Sequence, residues 1–397
     1  MTVRVCVTHP TDPLRPAAGG VATLIKRFIK YAPDDFDIEF VGTTSNTATR
    51  PLRTWTDLAV EGPPVRFAPV LRGSKRAAAV DFAAVHPGLK DFRHDYSGRL
   101  LFFHTIEPAI SFMDRKCPKA LAVHNDIEKQ IAKGQGEVLW GTFPWLYFRL
   151  EKRIMPFMDH VYTARGETLG IYQSQYAHDR KRFSFLPTWV DDGIVFPSAG
   201  SRVAARMTLC ARDTVGPVDA KWILFTGRFH TQENPLRMVH AFFEYQRTDP
   251  RSILILIGGG NMRAQIVHSA EHLGIASKIF VLTEQRQIGL AEYYRCAGAF
   301  LLTSHHEGMS VSVLEALASG LPVVSTDTGE VRRVVKNGWS GEIADDNSPT
   351  AISQSIETVL NNPRAYSSKN CLDAVSDYTA QTVLTPLYGA LRQLQKG

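Results

Sequence analysis

No apolar run in this 397-residue chain approaches the ~20 residues that would span a bilayer, so the sequence reads as soluble or peripheral. Cysteine is scarce. Cys6, Cys117, Cys210, Cys296 and Cys371 are scattered, odd in number and form no C-x-x-C pair, which speaks for reduced thiols in a cytoplasm and against a disulfide framework or a zinc site. Neither G-x-G-x-x-G nor G-x-x-x-x-G-K-[ST] occurs, so a nicotinamide dehydrogenase and a P-loop ATPase are both unsupported. Nucleic-acid-binding motifs are missing as well, and a formal net charge of +6 is too mild to argue for such a partner. That charge suits anionic substrates or an acidic membrane surface. There is no low-complexity tract and no short repeat, and MTVRVCVTHP enters a strand pattern without the arrangement of a signal peptide.

What is present is an alternation. VRVCVTHP, the loop PAAGG and VATLIKRFIKYA read as strand, loop and helix, and further strand-like runs follow at IEFVG, RLLFFHT, KALAVHN and HVYTA. A second series begins beyond LPTWVDDGIVFPSAG, with WILFTGR, SILILIGGG, KIFVLT, AFLLTS and PVVST, each trailed by a helical pattern. The length exceeds one typical core. The expected fold is therefore α/β, with two doubly wound domains whose ligands bind beyond the carboxyl ends of the strands. Pro197, Gly200 and Pro217 mark the boundary region. The expected division is 1–198 and 199–375, with 376–397 as a final helix carrying Pro386 near its start or at a kink.

The strand ends carry the chemistry. In HHEGMSVSVLEALASGLPVVST, Glu307 falls in a strand-to-helix turn and Glu315 in the second turn of a helix capped by Ser310 and stopped at Gly320. Amides of Met309, Ser310 and Val311 at that helix start suit a phosphate, and the carboxylates suit vicinal sugar hydroxyls. Taken alone, the spacing favours a loop charge at Glu307 and a solvated helix residue at Glu315, and it is the surrounding context that reverses this. Arg228 closes WILFTGR, where it either neutralises a leaving diphosphate or is a surface arginine. Gly258, Gly259 and Gly260 form a permissive loop, for a phosphate or simply for a tight turn. Gly19 and Gly20 pose the same choice. His124 in ALAVHNDIE either meets a sugar hydroxyl near a reaction centre or is structural, and His104 and Glu107 in FFHTIEP read as acceptor-side or structural.

Together these residues resemble the retaining glycosyltransferases of the two-domain GT-B fold, in the large family with the E-x7-E turn. The resemblance runs over essentially the whole chain and is strongest from KWILFTGRFHTQENPLRMVHAF through GEIADD. It implies two Rossmann-like domains facing across a cleft. It further implies that Glu315 binds the ribose and Glu307 the transferred sugar, while Met309, Ser310 and Val311 support sugar and phosphate. Arg228 would contact the diphosphate, Gly20 would approach it, His124 would face the sugar, and the backbone near Val281 and Leu282 would hold the base. The implied substrates are a UDP- or GDP-sugar and a glycan, lipid-linked or small-molecule acceptor. The resemblance calls for no cofactor and no metal.

One position departs from the family. A lysine usually follows the GR pair by five residues, whereas this chain has Glu233. Beside a diphosphate it must point away, meet a compensating cation, or mark altered chemistry, with His230, Arg237 and Arg286 as candidate replacements for the lost charge. The alternatives kept open are a sugar-nucleotide epimerase, a glycan phosphorylase, and a weakly active or non-catalytic nucleotide-sugar-binding protein. Finally, Trp140, Phe143, Trp145, Tyr147 and Phe148 interleave with Arg149, Lys152 and Arg153. Such a stretch reads either as a packed helix or as a contact with the inner face of a membrane.

Overall fold

Long uninterrupted apolar runs such as Ile223–Phe225 and Ile253–Ile257 arise where a parallel strand is covered on both faces, and these residues are all at most 1% exposed. The computed structural model describes residues 2–14, 20–73, 95–124, 144–197, 200–283 and 287–396. They divide into two units, Met1–Pro187 with Ala380–Gly397, and Thr188–Thr379.

The first unit holds an eight-stranded sheet of order β3-β4-β2-β1-β5-β6-β7-β8. Its strands are β1 (Val3–Thr8), β2 (Phe36–Thr44), β3 (Thr56–Leu58), β4 (Val65–Arg72), β5 (Leu100–Phe103), β6 (Lys119–Val123), β7 (His160–Thr163) and β8 (Phe183–Phe185). Only the edge strand β3 runs antiparallel to its neighbour. The order reverses between β1 and β5, which pair directly, and this junction is where such sheets open to ligands.

The final helix, Ala380–Lys396, belongs to this unit. Leu384, Leu387 and Leu391 are buried, Tyr388 Oη donates to the Phe28 carbonyl at 2.5 Å, and Arg392 grips Asp35 with two bonds of 2.6 and 2.7 Å. Pro386 lies inside this helix.

The second unit has a six-stranded parallel sheet of order β11-β10-β9-β12-β13-β14. Its strands are β9 (Lys221–Arg228), β10 (Ser252–Gly259), β11 (Ile279–Leu282), β12 (Ala299–Leu302), β13 (Val323–Ser325) and β14 (Gly341–Ile343). Here the reversal falls between β9 and β12. The unit begins at Thr188, earlier than the boundary expected at 198/199, because Val190 and Val195 are built into its core and Val190 N–H donates to the Tyr378 carbonyl at 2.9 Å. Likewise the closing segment starts at Ala380 instead of 376.

Candidate functional site

Arg228 ends β9, and Glu307 lies five residues beyond β12, so the two acidic and basic candidates flank the strand-order reversal of the second sheet. The two loops are stitched together. His305 N–H donates to the Gln232 carbonyl at 2.8 Å, Gln232 Nε2 donates to the His306 carbonyl at 3.2 Å, and Thr303 Oγ1 donates to the Asn234 carbonyl at 3.0 Å. From the other side, Gly329 presses on the Glu307 turn. With φ of 57° it occupies the left-handed region, and a Cβ there would come within 2.1 Å of the Gly308 carbonyl oxygen.

Glu233 meets Arg228. The guanidinium Nη2 stands 2.9 Å from Oε1, Nε donates to the same oxygen at 3.1 Å, and Nη2 also reaches Gln232 Oε1 at 3.2 Å. Of the three outcomes open for this glutamate, the compensating cation is the one found. Of the other candidate cations, Arg237 Nη1 donates to the Thr303 carbonyl at 3.3 Å, and Arg286 lies outside the described residues; the His230 carbonyl accepts from Asn234 N–H at 3.1 Å. Glu233 is only 7% exposed, and its Oε2 has no donor among the described residues. Glu307 accepts from Ser304 Oγ at 2.9 Å. Burial, reinforced by the charge of Glu233 and only partly offset by Ser304 and Arg228, pushes its carboxyl up to about 7.

The helix Val311–Ala318 starts where expected and Ser310 holds its N-cap position, but the serine does not cap. Its hydroxyl pairs with Ser312 Oγ at 3.0 Å instead, leaving the first-turn amides without that side-chain acceptor. Met309 is buried, while Ser310 and Val311 are half-buried. Glu315 is 6% exposed, far from a solvated helix residue. Tyr294 Oη donates to its Oε2 at 3.0 Å, Gln287 Nε2 donates to Oε1 at 3.2 Å, and Thr226 Oγ1 backs the tyrosine.

Val281 and Leu282 close β11, and their carbonyls accept from Arg263, at 2.7 Å from Nη2 and 3.4 Å from Nη1 respectively. The glycine run before Arg263 serves close approach of backbones: a Cβ on Gly258 would sit 1.8 Å from the Gly227 carbonyl oxygen. That geometry fits the tight-turn reading.

In the first unit, His9, His104 and His124 follow β1, β5 and β6, three strands adjacent in the sheet. His104 Nδ1 and His124 Nε2 are 2.8 Å apart, so one ring donates and the other accepts. All three are held neutral. Burial lowers His124 to about 4 and, with the charge of His124 adding to it, lowers His9 to about 3, while His104 falls well below its ordinary value for the same reasons. Gly20 opens the helix Gly20–Lys30 and so sits in the first helical turn, while Gly19 lies outside the described residues. Glu107 is half-buried immediately before the short helix Pro108–Phe112.

Sequence reasoning missed Gln287, Tyr294, Arg263 and His9. The histidines shared a visible signal, since each directly follows an apolar run in CVTHP, LFFHT and LAVHN; the others had none. The basic aromatic stretch is split. Trp140 and Phe143 lie outside the described residues, Tyr147 and Ile154 are buried, and Trp145, Phe148, Arg149, Lys152 and Arg153 face outward. Among the described residues no helix is long and apolar enough to cross a membrane.

Residues 212–373 match the family model described as glycosyl transferases group 1. A D-inositol 3-phosphate glycosyltransferase of Xylanimonas cellulosilytica is 29% identical over 215 residues, which is 53% of this chain and 50% of that protein; the chain thus spans about half the length of this curated relative. Among solved structures, sucrose-phosphate synthase from Thermosynechococcus elongatus has a TM-score of 0.81 at 16% identity, covering 99% of both chains. Anabaena HepE in complex with UDP-glucose has a TM-score of 0.71 at 12% identity, covering 98% of this chain and 99% of that one. Both likenesses speak for the fold. Residues 212–373, with the E-x7-E turn inside them, thus match the group 1 glycosyltransferases, and the chain as a whole has the two-sheet GT-B fold of these solved structures.

Proposed function

We propose that this protein is a retaining glycosyltransferase that moves a hexose from a UDP- or GDP-sugar to a hydroxyl of a glycan, lipid-linked or small-molecule acceptor. The observation that carries the reading is the grouping, at one strand-order reversal, of Arg228, the half-buried Glu307 and a helix start whose serine does not cap it. A departing nucleoside diphosphate gains negative charge on its β-phosphate. Arg228 and the amides of Met309, Ser310 and Val311 meet that charge without a resident metal or cofactor. Glu307 accepts from hydroxyls of the transferred sugar, and Glu315, already braced by Tyr294 and Gln287, keeps lone pairs for the ribose.

Val281 and Leu282 place the base. No carboxylate stands out as a covalent nucleophile, so same-face attack assisted by the departing phosphate is the economical route to retention. The complex of HepE with UDP-glucose supports a nucleotide-sugar donor here. The outward face with Trp145, Phe148, Arg149, Lys152 and Arg153 supports peripheral contact with an anionic membrane, where a lipid-linked acceptor would be found.

The test is a thermal-shift screen of UDP- and GDP-sugars, followed by assay of released nucleotide. Neither class raising the melting temperature would sink the proposal. A second reading, a weakly active or non-catalytic nucleotide-sugar-binding protein, is favoured by one observation: Glu233 neutralises Arg228. It predicts a thermal shift without turnover.

A further inference from the structure

Arg228 divides its guanidinium between two sides. Nε and Nη2 face Glu233 and Gln232, Nη1 has no acceptor among the described residues, and the side chain is 46% exposed. One edge is therefore committed to Glu233 while another remains for a phosphate oxygen, so the ion pair and the diphosphate need not compete. The remaining question is Oε2 of Glu233. Buried carboxylate oxygens are satisfied by donors, and this one lies within a residue only 7% exposed with no donor among the described residues.

A phosphate cannot satisfy it, because diphosphate oxygens only accept. The donors on a nucleotide sugar are its hydroxyls, any amino group, and the base N–H. The base and ribose are assigned to the β11 end and to Glu315, whose neighbours are Tyr294 and Gln287, not Glu233. Glu233 instead neighbours Glu307: the bonds from His305 N–H to the Gln232 carbonyl and from Gln232 Nε2 to the His306 carbonyl fix the two loops side by side, and the charge of Glu233 is felt at Glu307.

We propose that Glu233 is a specificity-determining residue of the donor site, whose Oε2 accepts a hydrogen bond from a hydroxyl or amino group of the transferred sugar while Arg228 bridges its Oε1 to the diphosphate. The inference rests on the nucleotide-sugar reading above and turns the departure at this position from a defect into a second sugar-reading carboxylate beside Glu307. A sugar presenting two donor groups to the pair is the chemical class it selects.

The experiment is titration calorimetry on the full chain and on Glu233→Gln and Glu233→Ala, with UDP, GDP, UDP-glucose, UDP-galactose, UDP-N-acetylglucosamine and GDP-mannose. The quantity read is the affinity of the tightest nucleotide sugar divided by that of its bare nucleoside diphosphate. The expected result is at least a tenfold fall in this ratio in Glu233→Ala and a smaller fall in the near-isosteric Glu233→Gln. Retained binding of the bare diphosphate shows that each variant is folded. An unchanged ratio, with both ligands gaining or losing together, overturns the proposal, because Glu233 would then act on the phosphate alone. Failure of the unmodified chain to bind any of the six overturns the nucleotide-sugar reading itself.

Discussion

Arg228 and Glu233, five residues apart, form an ion pair of 2.9 Å in which the arginine is half exposed and the glutamate almost fully buried. The asymmetry decides what each contributes. A pair with one solvated partner stabilises little by itself, but removing the arginine strands a buried carboxylate. Arg228→Ala is expected to cost about 1–3 kcal/mol of stability and to weaken nucleoside-diphosphate binding at least tenfold. Adding Glu233→Gln should restore most of the stability and none of the affinity. Urea melts and calorimetry on the single and double variants check both halves.

Glu315 is bound up in a different network, running from Thr226 through Tyr294 to its Oε2. Glu315→Ala takes from the buried Tyr294 hydroxyl its carboxylate acceptor, leaving it Thr226, as well as removing the proposed ribose acceptor, so loss of binding alone would not separate the two effects. Tyr294→Phe provides the control. It is expected to lower stability by about 1 kcal/mol while leaving nucleotide affinity within threefold, whereas Glu315→Ala lowers affinity at least tenfold. Equal losses of affinity in the two variants would show that Glu315 acts through the fold.

The central strands of both sheets were legible because parallel strands covered on both faces are written as unbroken apolar runs: VRVCVT, LLFF, WILF and SILILI are all strands. The strands that escaped are β3, β4, β8 and β14. Three have only three residues, and β4 carries Pro69 within VRFAPVLR, which reads as a breaker although its neighbours pair with β2 across a register shift. The site divides the same way. Residues fixed by their place at a strand end, such as Arg228 and Glu307, could be named from the sequence. Arg263 and Tyr294 reach theirs from neighbouring helices, and nothing local in the chain records that reach. Ser310 shows the opposite limit, a correct cap position whose hydroxyl chose Ser312.

The three strand-end histidines give a stability signature at acid pH. His124 is neutral in the fold down to about 4, and His9 to about 3, whereas an unfolded histidine titrates near 6.5. Between those values the unfolded chain binds more protons, so this contribution is complete above about pH 6.5 and is lost as pH falls toward 4. His104→Gln keeps a partner for His124 but does not titrate. In that variant the fall of unfolding free energy with decreasing pH should be shallower by up to about 1.4 kcal/mol per pH unit across this window, as read from urea midpoints.

The helix Pro144–Ile154 packs through Tyr147 and Ile154 and leaves Trp145 61% and Phe148 38% exposed beside Arg149, Lys152 and Arg153. Aromatic side chains flanked by cations favour an anionic interface, each basic residue adding about 1 kcal/mol near the surface. Flotation with phosphatidylglycerol vesicles should recover the intact chain at low salt and less of it at high salt. Trp145→Ala with Phe148→Ala should reduce recovery several-fold. Equal recovery on neutral vesicles, or no effect of the double substitution, removes the membrane reading.

Glu307 carries the prediction that joins the site to activity. Burial and the nearby Glu233 charge raise its carboxyl to about 7, so in the free protein it is mostly protonated below neutrality and ionises as pH rises through that value. If the carboxylate form accepts the sugar hydroxyls, kcat/KM climbs about tenfold per pH unit below about 7 and levels above it. Folding responds in the opposite sense: the fold retains a proton that an unfolded glutamate releases near 4.3, so this residue's contribution to stability declines as pH rises from there to about 7. Glu307→Gln should abolish both the activity limb and that decline. Glu233→Gln removes the neighbouring charge and should move the limb to lower pH while keeping it. A limb that stays in place in both variants would assign the ionisation to another group. Profiles of kcat/KM from pH 5.5 to 8.5 for the three proteins distinguish these outcomes.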